Sequence, residues 1–97
     1  MQNTAKRLAA LYTEHFGGKV SGRYRIAAKL VREMTGRRRL YPEDIQALTR
    51  ATLEEGYVLI DMDSFFVVLS ANAFTNYRRV SSEAVLSAGV TKADRTT

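Results

Sequence analysis

The chain has 97 residues, enough for one small domain with one modest core. It is 45% hydrophobic and 26% charged, and no apolar run is long enough to cross a membrane. It has no cysteine and a single histidine, His15, so disulfides, thiolate metal sites and His-rich zinc sites are excluded and no cofactor is expected.

The net charge of +5 is unevenly spread. Residues 1–39 carry ten Lys/Arg and two Asp/Glu, a net of +8. Residues 40–70 carry one Arg and six Asp/Glu, a net of −5, and residues 71–97 return to +2. The basic half suits a polyanion, and the acidic half repels one. The opening Met1–Arg7 is amphipathic and lacks the apolar stretch and cleavage site of a secretory signal, which makes a cytoplasmic protein the expectation.

A first helix is predicted over Thr4–Phe16. Ala5, Leu8, Ala9, Tyr12, His15 and Phe16 recur at three- and four-residue spacing, and Gly17-Gly18 supplies the stop. This places His15 on the apolar side as a half-buried histidine. Arg23-Tyr24-Arg25-Ile26 alternates as a very short strand does. A second helix follows over Ile26–Met34, with Ile26, Ala27, Leu30, Val31 and Met34 as its apolar stripe and Gly36 as its end.

Pro42-Glu43-Asp44 opens a third helix that runs to Glu55. Proline lacks the N–H that would be unpaired in a first turn, and acidic side chains favour the positive end of the helix dipole. Ile45, Leu48, Thr52 and Leu53 are expected in the core. Tyr57–Asp61 and Ser64–Leu69, rich in β-branched and aromatic residues, read as two strands joined at Asp61-Met62-Asp63. Both strands are apolar on both faces, so the face away from the helices needs a cover, either the C-terminal segment or a second chain. Ala71–Arg79 reads as another helix capped by Ser70 or Asn72, and Ser81-Ser82-Glu83 caps one more turn through Leu86. Residues 1–89 form one domain with a C-terminal helical extension, and residues 90–97 a disordered tail.

The order helix, short strand, helix, helix, strand, strand resembles the winged helix-turn-helix superfamily. Leu53-Glu54-Glu55-Gly56-Tyr57-Val58 looks like the end of a recognition helix stepping through glycine into the wing hairpin. The likeness covers Thr4 to Leu69 and rests on pattern and element order. It implies an α+β fold with a three-helix core, a wing of two or three strands and here an additional C-terminal helix. It also implies DNA binding and transcriptional control, often as a dimer. Two features depart from the pattern. The connector Gly36–Tyr41 is longer than the usual tight turn, and both the start of the third helix (Glu43-Asp44) and the wing tip (Asp61, Asp63) are acidic where phosphates would come close.

Arg37-Arg38-Arg39 is the sharpest signal. Guanidiniums beside a helix start clamp phosphates or fork onto guanine, whereas the plain alternative is a solvated basic loop. Arg23, Arg25, Lys29 and Arg32 belong to the same basic half and reinforce the first reading. Arg23 and Arg25 share one strand face, where they either meet a partner or lie over Tyr24. Gln46 and Arg50, four residues apart on the exposed side of the third helix, have the chemistry that reads adenine and guanine edges, or make an ordinary polar surface.

Catalysis finds little support. No base has a positioned partner, Gly17-Gly18 is an isolated pair, and Asp61 with Asp63 reads as a solvated turn rather than a metal site. The expected partner is double-stranded DNA. Two competing readings stay open, a protein-interaction module using Glu43, Asp44, Asp61 and Asp63, and RNA binding through the same phosphate chemistry. A homodimer through the hairpin or the C-terminal helix is expected in the leading case.

Overall fold

The computed structural model describes residues 1–19 and 21–88. In chain order the elements are α1 (Gln2–Tyr12), β1 (Tyr24–Ala27), α2 (Ala28–Thr35), α3 (Pro42–Glu54), β2 (Tyr57–Asp61) and β3 (Phe65–Ser70). A 3-10 turn at Ala71–Phe74 and a short helix over 82–88 follow. The protein is a small α+β domain with a three-stranded antiparallel sheet in the order β1-β3-β2.

One face of the sheet takes the helices. Tyr24 and Leu59 both pair with Val68, and Phe66 lies two residues along the same strand, so all four point the same way. They meet Ala5 and Leu8 of α1, Ala28 and Val31 of α2, and Leu48 and Ala51 of α3. Leu8, Val31, Leu48, Phe66 and Val68 are at most 2% exposed. Burial on that scale stabilises the fold by about 1.5–3 kcal/mol for each large side chain.

Polar groups in this core are satisfied. The phenol of Tyr24 donates to the Leu8 carbonyl at 2.6 Å, and Thr52 Oγ1 donates to the Leu48 carbonyl at 2.7 Å. Among the described residues no buried polar side-chain atom lacks a partner. Burial, and after it the neighbouring Tyr57, pushes the Tyr24 phenol well above its ordinary value and keeps it neutral.

Local chemistry sets the element ends, and several differ from the predicted ones. α1 stops at Tyr12, four residues early, where Thr13 Oγ1 turns back onto the Ala10 carbonyl. Gly17 and Gly18, both at positive φ, instead make a two-residue turn between Phe16 and Lys19, whose backbones pair. His15 consequently sits exposed in a loop, not half-buried on a helix.

α2 begins at Ala28, with Ile26 and Ala27 still extended against β3. The expected stripe on α2 is therefore rotated, and Leu30 is 49% exposed. On α3, Leu48 and Thr52 are buried as expected, whereas Leu53 is 55% exposed and Ala51 takes a core position. The helix predicted over Ala71–Arg79 shrinks to the 3-10 turn, which Ser70 caps by accepting from the Asn72 N–H. Ser81 caps the helix over 82–88 by accepting from the Ala84 N–H. The predicted tail, 90–97, lies outside the described residues. No helix among the described residues is long and apolar enough to cross a membrane.

Candidate nucleic-acid interface

The connector Gly36–Tyr41 is tied at both ends. Gly36, at φ 74°, closes α2 in the left-handed conformation that glycine adopts freely. At the other end Asp44 turns back on the connector. One carboxylate oxygen accepts the Tyr41 backbone N–H at 2.9 Å, and the other takes Arg37 at 3.0 Å. Arg37 and Asp44 form the one ion pair among the described residues.

This pairing fixes the surroundings of two charges. Asp44 does not face outward as a free charge, because both oxygens are engaged at the helix start. Arg37 is likewise committed to a neighbour within its own turn. The acid left exposed at the front of α3 is Glu43.

Between the connector and the β2–β3 hairpin lies a cleft of about 370 Å³. Arg32 of α2 and Arg38 and Arg39 of the connector form its cationic wall, and Asp61 and Asp63 of the hairpin face the same space. Ala28, Leu40, Ile45 and Phe66 complete the lining. Arg39 also lies over the Tyr41 ring, 6.0 Å from its centroid. A second depression, shared with the cleft through Arg32 and Arg38, is lined by Lys29, Glu33, Gly36 and Arg37. Five cations thus occupy adjoining hollows, and four of them, Lys29, Arg32, Arg38 and Arg39, make no ion pair among the described residues.

The remaining predicted residues sit elsewhere. Arg23 and Arg25 line a separate depression with Glu14 and Lys19. Arg25 stands on the face of the sheet away from the helices, over Phe65 at 5.9 Å from the ring centroid, and not over Tyr24. Gln46 and Arg50 are exposed on α3 and line none of these hollows.

Sequence reasoning missed Lys19 as a companion of Arg23, and it missed that the hairpin acids face the connector arginines. The first follows from the Phe16–Lys19 turn, whose Gly-Gly signature was visible. The second depends on the Ala28 N–H reaching the Ser64 carbonyl at 3.0 Å, which pins the hairpin tip to the start of α2 and carries no sequence signature.

The hairpin is short. Its last pair, Asp61 with Phe66, is still in register with Ile26 of β1, and only Met62–Ser64 extends beyond it. Asp61 Oδ1 accepts the Asp63 N–H at 2.8 Å, and Asp63 holds φ 73°, a conformation Asp tolerates better than most residues. Among the described residues no group of three or more His, Cys, Asp or Glu side chains is placed to hold a metal ion. Comparison with protein-family models, curated proteins and solved structures returned no match.

Proposed function

We propose that this protein is a non-catalytic DNA-binding factor of winged-helix type, a regulator or accessory protein that captures duplex phosphates through Lys29, Arg32, Arg38 and Arg39. The observation that carries this reading is the gathering of those four cations, none of them in an ion pair among the described residues, in adjoining hollows beside the start of α3. Guanidiniums are well suited to phosphate, because they remain charged and donate in a planar fork. The element order helix, short strand, helix, helix, strand, strand is the pattern on which the likeness to a winged helix rests. Docking begins with electrostatic capture, and exposed Gln46 and Arg50 on α3 then approach the groove. The short acidic hairpin contributes no phosphate contact.

Fluorescence anisotropy with a pool of random duplexes tests the reading. Binding at low salt that weakens strongly when Arg32, Arg38 and Arg39 are replaced together by alanine supports it. Absence of binding at low salt, or binding indifferent to that replacement, rejects it.

Asp61 and Asp63 in the same cleft as the arginines favour a second reading, a module that recognises a protein surface carrying both charge signs. Structured RNA competing better than duplex DNA would instead point to RNA as the partner.

A further inference from the structure

We propose that the depression around Lys19, Arg23 and Arg25 binds a single strand of nucleic acid, with phosphates on the three cations and an unstacked base on Phe16. This surface shares no residue with the basic cleft. Phe66, which lines the cleft, points to the helices, whereas Arg25 stands on the opposite face of the sheet. The inference therefore does not rest on duplex binding.

Two hollows adjoin here, of about 440 Å³ and about 270 Å³, and Lys19, Ser21 and Arg23 line both. Phe16, Tyr24 and Arg25 add to the larger one. Lys19, Arg23 and Arg25 are exposed, and none forms an ion pair among the described residues. Glu14 is the only acid lining either hollow, so three cations stand against one carboxylate. Arg25 lies over Phe65, a contact that steadies the guanidinium without neutralising it.

The backbone around the hollows is tied down. Phe16 and Lys19 exchange hydrogen bonds across the Gly17-Gly18 turn at 3.1 and 3.0 Å, and the Gly22 N–H donates to the Tyr12 carbonyl at 2.9 Å. The Phe16 ring meets Tyr24 edge to face, with centroids 5.6 Å apart, and Tyr24 is itself anchored to Leu8. Phe16 nevertheless stays 42% exposed.

That exposed ring selects the partner. A duplex offers phosphates but keeps its base faces stacked inside, so it leaves Phe16 without a role. A single strand offers both phosphates and free base faces, and cations beside an exposed aromatic ring are the surface that holds it.

Fluorescence anisotropy of short labelled strands, oligothymidylate and oligouridylate, on the full chain is the test. Binding of either at low salt is expected, with a log–log salt slope of about −2.1 for three phosphates. Replacing Lys19 and Arg23 together by alanine should flatten the slope to about −0.7. Replacing Arg32, Arg38 and Arg39 should leave it unchanged, which separates this site from the cleft. Phe16→Ala should weaken binding at least about fivefold, and Phe16→Trp should restore it. A strand of the same length without bases adds an arm that tells stacking from a folding defect, because Phe16→Ala should make no difference to it. No single-strand binding at low salt would overturn the proposal. So would binding that depends on the cleft arginines instead of Lys19 and Arg23, or a Phe16→Ala loss equal for strands with and without bases.

Discussion

The hydroxyl of Tyr24, on β1, donates to the backbone carbonyl of Leu8, on α1, at 2.6 Å in the middle of the core. One hydrogen bond thus ties the edge strand to the first helix across sixteen positions of sequence. Replacing Tyr24 with phenylalanine removes this bond, but Leu8 lies within α1 and its carbonyl keeps its helical partner, so the cost is about 0.5–1.5 kcal/mol. Urea denaturation at neutral pH measures the loss.

The same phenol makes stability pH-dependent in a direction that can be worked out. Folding raises its pKa above the ordinary 10.0, so the folded state holds the proton more tightly than the unfolded chain. The contribution is complete below that ordinary value and is lost as pH rises beyond it. Wild-type stability should fall between pH 10 and the folded-state value more steeply than that of Tyr24→Phe. Parallel alkaline slopes for the two proteins would show that Tyr24 ionises freely in the folded state.

At the start of α3, Asp44 caps the Tyr41 N–H and pairs with Arg37. Asp44→Ala removes both and should destabilise by about 1 kcal/mol, the usual loss on deleting a capping side chain. Arg37→Ala should cost less than about 1 kcal/mol, because the Arg37 side chain is 53% exposed and its ion pair is well solvated. In DNA binding, Arg37→Ala should also lose less than Arg38→Ala, since Arg37 is already engaged within its own turn.

Two leucines on α3 should respond in opposite ways. Leu48 is fully buried, and Leu48→Ala should cost about 2–5 kcal/mol through the lost contacts and the cavity left behind. Leu53 is 55% exposed, and Leu53→Ala should change stability by no more than about 0.5 kcal/mol. A thermal melt of each variant distinguishes them.

Asp61 and Asp63 share the cleft with Arg32, Arg38 and Arg39. If phosphates enter there, these carboxylates repel them. Asp61→Asn with Asp63→Asn should therefore tighten duplex binding at low salt by roughly threefold to tenfold, the scale of removing like charges beside a polyanion. Binding that weakens instead would favour the protein-partner reading.

Where one local cause decided the structure, the sequence carried it. Pro42 placed the start of α3 correctly because proline has no N–H to lose in a first turn. The apolar run Tyr57–Asp61 gave β2 its limits, and Gly36 marked the end of α2. What was not legible came from tertiary competition. Ile26 and Ala27 fit a helical stripe equally well, but pairing with Phe66 and Phe65 draws them into β1. Leu53 fits the apolar stripe of α3 as well as Leu48 and Thr52 do, yet the packed face of the helix takes Ala51 beside them and leaves Leu53 outside. Among the candidate site residues, the Arg37–Arg39 run was plain, but its division of labour was not. One arginine is paired to Asp44, while the other two line the cleft with Arg32, and Arg25 belongs to a different face.

The salt dependence of duplex binding bears most directly on the central claim, which is that the arginines beside α3 meet phosphate. If Lys29, Arg32, Arg38 and Arg39 each neutralise one phosphate, a log–log plot of affinity against salt should have a slope of about −3.6. Replacing Arg32, Arg38 and Arg39 with alanine should flatten it to about −0.9. An unchanged slope in that variant would place the phosphate contacts elsewhere on the protein and contradict the account.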